Sequence, residues 1–430
     1  MKVAFATLGC RVNQYESEAM AEKFIREGYE VTEFSEIADV YVINTCTVTN
    51  MGDKKSRQII SRARRLNEKA IIAVVGCYSQ MAPKEVSAIE GVDVVLGTRN
   101  KGDVVYYVNK ARDEEKVQVH VEGVLKNNKF EELNIEEYQD KTRAFLKIQD
   151  GCNRFCSYCI IPKARGRISS KPLDEIVKEV TLLSQNGHSE IVLVGIDLSC
   201  YGKQFGKTLT DAVEAVAEIP TVKRIRLGSL EPEIISDQDI KRLSKIDKFC
   251  PQFHLSLQSG CDKTLKKMNR HYNSEEYKTI VKKIRSAFEN ATITTDVMVG
   301  FAGETDEDFN ASLEFVKGIG FLKVHVFPYS IRKGTRAAEF SEQVDGQTKR
   351  HRAHIMLEET EKIRLQILNN QIGKQTEVLI ESRTKGGRAF GYTKEYIPVF
   401  IKDCALCVGS ICNVKIIGIF EDCCQAVFLD

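Results

Sequence analysis

The amino-acid sequence predicts an α/β protein of three domains, and three patterns along its 430 residues support that prediction. Short β-branched runs alternate with helical segments over residues 1–110, the same alternation starts again at residue 143, and short strands separated by turns fill residues 371–430. Alternating strands and helices are typical of parallel sheets, whereas closely spaced short strands are typical of small antiparallel barrels. We therefore expect an N-terminal doubly wound α/β domain, a central partial (β/α)6 barrel and a small C-terminal antiparallel β-barrel.

Composition narrows the class of protein. The chain is 43% apolar and 28% charged, and its net charge of +2 indicates a globular protein without a strongly basic coat. Its start lacks the charged and apolar regions of a signal peptide, and no apolar run approaches the roughly 18 residues of a membrane span. We therefore expect a cytoplasmic protein with no membrane contact. Fourteen cysteines in such a chain favour metal ligands and reduced thiols over disulfides.

Residues 1–112 are predicted to form the first domain. Its strand-like runs are KVAFATL, DVYVINT, AIIAVVG and VDVVLG. Helical patterns accompany them over residues 13–28, 51–67, 82–89 and 100–111. This order predicts parallel strands with helices on both faces of the sheet. Residues 113–142 are charged and irregular, and we expect a linker there.

Six strand-and-helix units are predicted over residues 143–345. The strands are AFLKIQ, EIVLVGI, KRIRLGS, QFHLSLQ, TITTDVMVG and LKVHVFP. The first helix, over residues 172–186, has Ser170 as a capping residue and Gly187 at its end. Six units predict a partial barrel of the TIM type, one quarter short of eight. A charged helix over residues 346–370 then connects this domain to the C-terminal barrel.

A cysteine loop, GCNRFCSYCIIPKARGR, follows the first predicted barrel strand, where barrel enzymes build their sites. Its three cysteines stand in a C-x3-C-x2-C spacing: Cys152, Cys156 and Cys159. Three soft thiolates on one loop can hold three irons of a [4Fe–4S] cube, and the fourth iron then stays open for a substrate. The alternative is a zinc site completed by Cys200 or Cys261.

The N-terminal domain contains a second, widely spaced set of cysteines: Cys10, Cys46 and Cys77. Each lies just past the end of a predicted parallel strand. The C-terminal strand ends of a doubly wound sheet converge on one crevice, so thiols far apart in sequence can share a ligand. The pattern predicts a second cluster with an open iron. The alternative is three unrelated core thiols.

The cysteine loop resembles the radical S-adenosylmethionine (SAM) superfamily. There the open iron binds the amino and carboxylate groups of SAM, and electron transfer from the cluster cleaves the sulfonium to a 5′-deoxyadenosyl radical. With its second trio and C-terminal barrel, the chain resembles the methylthiotransferases over nearly its whole length. TLGCRVNQYESEAM, INTCTVT, GCNRFCSYCIIPKARGR and VGIDLSCYG are most similar to the branch that acts on N6-threonylcarbamoyladenosine. Departures from the family pattern are Asp197 where histidine is common, Cys200 nearby, and Lys163 where tyrosine is usual.

The resemblance implies an enzyme that inserts a methylthio group at C2 of N6-threonylcarbamoyladenosine beside the anticodon, in the anticodon stem-loop of tRNA. It implies two [4Fe–4S] clusters and two SAM molecules per turnover, with the loop trio generating the radical and the N-terminal trio holding the donor cluster. An electron donor such as flavodoxin or ferredoxin is also expected, and a monomer suffices. Three alternatives stay open: the same reaction on isopentenyladenosine in tRNA, the same reaction on an aspartate of a ribosomal protein, and a non-catalytic iron–sulfur protein that binds RNA.

The resemblance also assigns roles to residues other than these cysteines. The candidates for the cofactor pocket are Tyr158, Gly195, Ser229, Glu231, Gln258, Arg270, Asp296 and Phe327. The C-terminal barrel resembles a TRAM domain, in which basic and aromatic residues contact phosphates and stack on bases. The candidates for RNA binding are Arg383, Lys385, Arg388, Phe390, Tyr392 and Lys394, together with Arg165 and Arg167 in the cysteine loop. For these residues the alternative is an ordinary role in a core, a loop or a solvated face.

Overall fold

The structure is a computed structural model, and it describes residues 1–125, 129–136, 138, 142–384, 387–402, 404 and 406–429. The strands form an N-terminal parallel sheet, a central curved set of parallel strands and a closed C-terminal barrel. This architecture confirms the predicted α/β class and the order of its three parts. No helix within the described ranges is long and apolar enough to cross a membrane.

The N-terminal sheet is parallel throughout. Its strands are β1 (Lys2–Thr7), β2 (Glu30–Thr32), β3 (Val40–Thr45), β4 (Ile71–Gly76), β5 (Val94–Leu96) and β6 (Gln118–His120), in the spatial order β2-β1-β3-β4-β5-β6. Its helices are α1 (Arg11–Arg26), α2 (Asn50–Leu66), α3 (Cys77–Met81), α4 (Pro83–Ser87) and α5 (Val104–Glu114). Every residue of β3 is buried because apolar cores cover both faces of the sheet. The sequence prediction missed the short edge strands β2 and β6 and the short helix α3, whereas α4 falls within its predicted helix over residues 82–89.

Residues 113–142 do more than the expected linker. β6 lies in this segment and extends the sheet as its last parallel strand. Leu133 and Ile135 are fully buried in the same apolar core as the central strands. The hydroxyl of Tyr15 in α1 lies within hydrogen-bond distance of the carbonyl of Leu133 and, at 2.9 Å, of the carboxylate of Glu179 in the central domain. A few apolar side chains therefore fix this segment between two domains, although its composition is mostly charged.

The central domain is the predicted partial barrel. Its strands are β7 (Arg143–Lys147), β8 (Gln149–Asp150), β9 (Ser169–Ser170), β10 (Glu190–Val194), β11 (Arg224–Leu227), β12 (Ser229–Leu230), β13 (Gln252–Leu255), β14 (Thr292–Val299) and β15 (Lys323–Pro328). Its helices are α6 (Ile161–Arg165), α7 (Leu173–Gln185), α8 (Leu209–Ala217), α9 (Asp237–Leu243), α10 (Asp262–Lys267), α11 (Ser274–Ala287) and α12 (Asp306–Ile319). β11 and β12 are two parts of one barrel strand, so the parallel order is β7-β10-β11/β12-β13-β14-β15. Helix α1 of the N-terminal domain packs against the edge strand β7.

The long helix α13 (Gly346–Asn369) packs against β15 and leads into the C-terminal barrel. The barrel strands are β16 (Gln375–Arg383), β17 (Ala389–Tyr392), β18 (Pro398–Ile401), β19 (Ile411–Phe420) and β20 (Cys423–Phe428), closed in the order β16-β17-β18-β20-β19. A closed five-stranded barrel fits the expected TRAM domain. It sits at the N-terminal ends of the central strands, where Arg224 and Arg226 donate to barrel carbonyls at 3.1 and 3.0 Å. The opposite ends of the central strands stay available for the site.

Candidate active site

The cysteine loop is shaped by its own backbone, directly after β8. Cys152 donates its backbone N–H to the carbonyl of Gly166 at 3.1 Å, and Cys159 donates to the carbonyl of Cys156 at 3.0 Å. Gly151, which begins the loop, has a φ of +72°, and a Cβ there would clash with the loop backbone. Only glycine adopts this turn without strain. The three thiols are therefore presented by one compact loop.

Two arginines and several carboxylates surround this loop. Arg270 donates to the sulfur of Cys156 at 3.3 Å and to the carboxylate of Glu231. Arg154 lies 3.4 Å from Asp197 and 3.7 Å from the same Glu231. Burial raises the pKa of Glu231 despite these two guanidinium groups. Arg270, one of the candidates for the cofactor pocket, thus already has a carboxylate partner in this structure.

Asp197 connects β10 to the cysteine loop. Its carboxylate accepts weak hydrogen bonds from the thiols of Cys200, at 3.3 Å, and Cys152, at 3.7 Å. Its backbone N–H donates to Gln149 at 2.7 Å. The two departures from the family pattern at positions 197 and 200 are therefore in contact with each other and with the loop. The pKa of Cys159 is raised to about 12, mainly by burial and to a smaller extent by the nearby thiol of Cys156.

The three N-terminal cysteines come together at one edge of the first sheet. Cys10 is the N-cap of α1 after β1, Cys46 follows β3, and Cys77 begins α3 after β4. Because β1, β3 and β4 are neighbours, their C-terminal ends lie side by side. Burial raises the pKa of Cys46 to about 11, and the nearby Cys77 and Cys10 thiols contribute to that rise. The expected convergence is present; the role of these thiols as ligands stays a prediction.

Small residues and amides shape the crevice around these thiols. A Cβ on Gly9, whose φ is +100°, would lie 2.9 Å from Cβ and 3.1 Å from Sγ of Cys46. The side-chain amide of Asn13 donates to the carbonyls of Leu8 at 2.7 Å and Thr45 at 3.0 Å. These bonds hold the loops after β1 and β3 against each other. Any side chain at position 9 therefore displaces Cys46.

A buried group of charges joins the two cysteine regions. Its members, which we call the charge network, are Glu16, Lys101, Lys147, Asp150 and Arg165. Arg165, at the end of the cysteine loop, donates to Glu16 of α1 at 2.9 Å and to Asp150 at 3.1 Å. It also donates to Asn13, one turn from Cys10, at 2.6 Å. Burial alone would raise the pKa of Glu16, but the three cations hold it well below its usual value. The network fixes the N-terminal domain against the barrel.

A cavity of about 880 Å³ lies between the N-terminal domain and the barrel. Its N-terminal wall contains Thr7, Gly9, Cys10, Arg11, Val12, Gln14, Glu18 and Val48. Its barrel wall contains Ile161, Val194, Gly195, Ile196, Gly228, Ser229, His254, Asp296 and His325. This volume is in the range of sites for small ligands and cofactors. One space is thus bordered by a cysteine of the N-terminal trio and by the barrel strand ends.

Three of the predicted cofactor residues, Gly195, Ser229 and Asp296, line this cavity. Gln258, another predicted cofactor residue, is not part of the lining. It has a φ of +65° and donates its backbone N–H to the carbonyl of Asp296 at 2.8 Å. Strained backbone of this kind concentrates at functional sites. The side chain of Asp296 lies 3.4 Å from His254. Their roles toward a cofactor stay predictions.

The remaining two candidates, Tyr158 and Phe327, are outside that lining. Tyr158 is half-buried in the cysteine loop and meets the ring of Phe301 edge-on, with centroids 6.3 Å apart. Phe327 is at the end of β15 and is 50% exposed. An exposed aromatic ring at a strand end is available for stacking on a base.

The structure contradicts the RNA-binding prediction for Arg165 and gives two further candidates, Tyr392 and Lys394, contacts near the central domain. Arg165 is fully buried in the charge network and cannot reach a phosphate. Tyr392 stacks on Tyr396 at 4.4 Å between the C-terminal and central barrels. Lys394 donates to the carbonyl of Asp247 of the central domain at 3.1 Å. All three residues contact another domain, and RNA binding by the partly exposed Tyr392 and Lys394 stays a prediction.

The other RNA-binding predictions remain open. Arg167, Arg383 and Arg388 are exposed. Phe390 is half-buried and packs against Phe400 with centroids 5.1 Å apart. Lys385 lies outside the described residues.

The sequence prediction overlooked several residues of the site. Glu16 lies on the buried face of α1, and His254 and His325 lie on barrel strands and line the cavity. The available signal was a charged residue on an apolar helix face or a histidine inside an apolar strand run. Arg11 was also missed, because an arginine after a cysteine has no distinctive pattern.

The donor sets fit iron–sulfur chemistry. Each site offers three thiols, and an arginine N–H points at the sulfur of Cys156, a contact of the kind that tunes cluster potentials. Across the described part of the chain, no three histidine, cysteine or acidic side chains meet as ligands of a single metal ion. A cube is a different case, because it distributes three thiolates over three irons.

Comparison with family models gives the class. The model of the radical SAM superfamily matches residues 146–316, which include the whole cysteine loop. A second model, described as the uncharacterized protein family UPF0004, matches residues 2–97, which include the N-terminal trio. The partial barrel, the cysteine loop and the first of these matches define a radical SAM enzyme.

Curated relatives then give the family. Threonylcarbamoyladenosine tRNA methylthiotransferase MtaB of Bacillus subtilis is 41% identical over 96% of this chain and 93% of that protein. MtaB of Aquifex aeolicus is 40% identical over 88% of this chain and 93% of that protein. A tRNA-2-methylthio-N(6)-dimethylallyladenosine synthase of Clostridium botulinum is 36% identical over 96% and 93%. The chain belongs to the methylthiotransferase family of radical SAM enzymes, which use SAM and [4Fe–4S] clusters.

Solved structures agree on the fold. The radical SAM methyltransferase TsrM of Kitasatospora setae, with cobalamin and a [4Fe–4S] cluster bound, matches with a TM-score of 0.58 and 13% identity, covering 76% of this chain and 74% of that chain. The cobalamin-dependent radical SAM enzyme OxsB matches with a TM-score of 0.52 and 11% identity, covering 84% and 57%. At these identities the similarity concerns the fold alone.

Proposed function

We propose that this enzyme inserts a methylthio group at C2 of N6-threonylcarbamoyladenosine in tRNA. The observation that carries the proposal is the shared cavity, in which Cys10 of the N-terminal trio faces Gly195 and Ser229 of the barrel. An adenosine bound there would lie between Cys10 of the N-terminal trio and Ile161, which belongs to the cysteine loop. The relatives named for threonylcarbamoyladenosine, at 41% and 40% identity, support this nucleoside over the dimethylallyl form of the relative at 36%.

The two trios take different roles in this proposal. Cys152, Cys156 and Cys159 hold the cluster that binds SAM, and the N-terminal trio holds the second cluster, which carries the sulfur. When bound, the clusters and two SAM molecules per turnover supply the radical chemistry and the methylthio group. A reduced flavodoxin or ferredoxin supplies electrons.

The protein's own residues bind and orient in this scheme. The cavity holds the target nucleoside away from bulk water, which protects reactive species from side reactions. Gly195, Ser229 and Asp296 face SAM and the target base, and Phe327 stacks near the cavity mouth. The exposed Arg167, Arg383 and Arg388 contact phosphates of the anticodon stem-loop. A single chain offers all these groups, so a monomer suffices.

Nucleoside mass spectrometry of bulk tRNA tests the proposal. Cells that lack the gene are expected to lose 2-methylthio-N6-threonylcarbamoyladenosine and to recover it when the gene is restored. Restoration with a Cys156→Ala variant separates the reaction from any structural role of the protein. Loss of the isopentenyl form instead would show that the other tRNA nucleoside is the substrate. An unchanged profile of both nucleosides would overturn the proposal.

A further inference from the structure

Arg11 is a cavity-lining cation, and within the described residues no carboxylate lies at ion-pair distance from it; Glu381 of β16 feels its charge only at longer range. It is the first residue of α1, directly after Cys10. Its guanidinium carbon lies 4.7 Å from the ring centroid of Phe145, and its Nη1 donates to the amide oxygen of Gln14 at 2.9 Å. Within the residues that the structure describes, its guanidinium forms no ion pair.

Five other arginines around the barrel and the cysteine loop are paired with carboxylates. They are Arg154 with Glu233, Arg165 with Glu16, Arg226 with Glu190, Arg270 with Glu231 and Arg332 with Asp53. A guanidinium has five N–H donors in a planar fork, and the bond to Gln14 uses one of them. Arg11 therefore retains donors for a ligand, whereas its neighbours are engaged by the protein.

The other charged groups of the cavity do not replace Arg11. Glu18 and Asp296 are acids, and Asp296 lies 3.4 Å from His254. Burial lowers the pKa of His325, so its imidazole is neutral at neutral pH. Among the described lining residues, Arg11 is the only arginine or lysine. It is thus the permanent positive charge of this wall.

We propose that Arg11 binds the carboxylate of the threonylcarbamoyl group and so selects this nucleoside over one with a neutral side chain. The inference rests on the proposed function. Guanidinium and carboxylate form two parallel charge-assisted hydrogen bonds. The ring of Phe145 and the amide of Gln14 hold the guanidinium in place, which lowers the cost of ordering it on binding. An isopentenyl group would cover the guanidinium and leave it without a partner, which disfavours that nucleoside.

The test uses the reconstituted full-length enzyme and two synthetic anticodon stem-loops. One contains N6-threonylcarbamoyladenosine, and the other contains the same nucleoside with its threonyl carboxylate converted to a methyl ester. For the wild type, we expect kcat/KM to be on the order of tenfold to a hundredfold higher for the acid than for the ester. Arg11→Gln is expected to abolish most of this preference by raising KM for the acid, with the ester affected less than about threefold.

Arg26→Gln is the matched control, since Arg26 is exposed and is the last residue of the same helix. It is expected to keep the acid preference of the wild type. Turnover of the ester by Arg11→Gln shows that the variant is folded and loaded with clusters. Equal activity of the wild type on both RNAs, or equal losses on both RNAs in Arg11→Gln, would overturn the role of Arg11. Wild-type inactivity on both RNAs would instead contradict the proposed function.

Discussion

The two cysteine trios differ in how the chain assembles them. The barrel trio sits within one loop whose shape comes from local backbone bonds, and arginines and carboxylates surround it. The N-terminal trio is assembled by topology, because neighbouring strands deliver its members to one edge, and glycine and amide side chains surround it. Sequence spacing therefore reveals the first trio directly. The second is visible only once strand order is inferred.

Single cysteine substitutions should separate the two trios most strongly. Cys156→Ala is expected to lower both 5′-deoxyadenosine and the methylthio nucleoside by at least about a hundredfold, because both depend on the cluster that binds SAM. Cys46→Ala is expected to lower the methylthio nucleoside as much while 5′-deoxyadenosine still forms. Quantitative mass spectrometry of both products checks this. The exposed Cys407, substituted by serine, is the control. Identical product patterns for the two variants would contradict separate roles.

The charge network tests how firmly the two regions are joined. Arg165→Met leaves Glu16 and Asp150 buried with less compensation, and we expect a loss of about 3–5 kcal/mol in the free energy of unfolding. Urea denaturation of the protein without clusters measures it. Arg167→Met, two residues away and exposed, should change stability by less than about 0.5 kcal/mol. Equal stability of the two variants would show that the network contributes nothing.

Adding a single methyl group at position 9 should affect the N-terminal trio alone. A Cβ at Gly9 comes within 2.9 Å of Cys46, so Gly9→Ala is expected to lower iron from about eight to about four atoms per chain. Gly28→Ala is a matched control, because Gly28 also has a positive φ, of +80°, but nothing lies within 4 Å of its Cβ. It should cost about 1 kcal/mol of stability without loss of iron. Full iron loading of Gly9→Ala would contradict the inference that a side chain at position 9 displaces Cys46.

At the opposite end of the barrel, we expect a smaller effect on the free energy of unfolding, and this effect depends on pH. Burial alone would raise the pKa of Glu190, but Arg226 and Arg143 outweigh it and lower that pKa. The folded protein therefore binds this proton more weakly than the unfolded chain does, and the contribution to stability is complete above the ordinary glutamate pKa and is lost as the pH falls. The stability gap between the wild type and Glu190→Gln should narrow as the pH falls below about 4.5. A stability difference that stays constant with pH would contradict a lowered pKa of Glu190 in the folded protein.

Local patterns predicted the elements well and their surroundings less well. The central strands of all three domains were visible as β-branched runs, because each is buried by its own neighbours, whereas the short edge strands β2 and β6 carry no such run. The burial of Arg165 was not visible, since its partner Glu16 is far away in the sequence and belongs to another domain. The contacts of Tyr392 and Lys394 with the central domain were not visible for the same reason, because the side of the C-terminal barrel that faces the central domain is set by tertiary contacts.

The most direct test of the account is metal analysis of two triple variants. One replaces Cys152, Cys156 and Cys159 by alanine, and the other replaces Cys10, Cys46 and Cys77. After anaerobic reconstitution, iron and sulfide per chain are measured together with the Mössbauer spectrum. The account predicts about eight irons in the wild type and one remaining [4Fe–4S] cluster, about four irons, in each variant. Wild-type iron content in the Cys10, Cys46 and Cys77 variant would contradict a cluster at the N-terminal crevice.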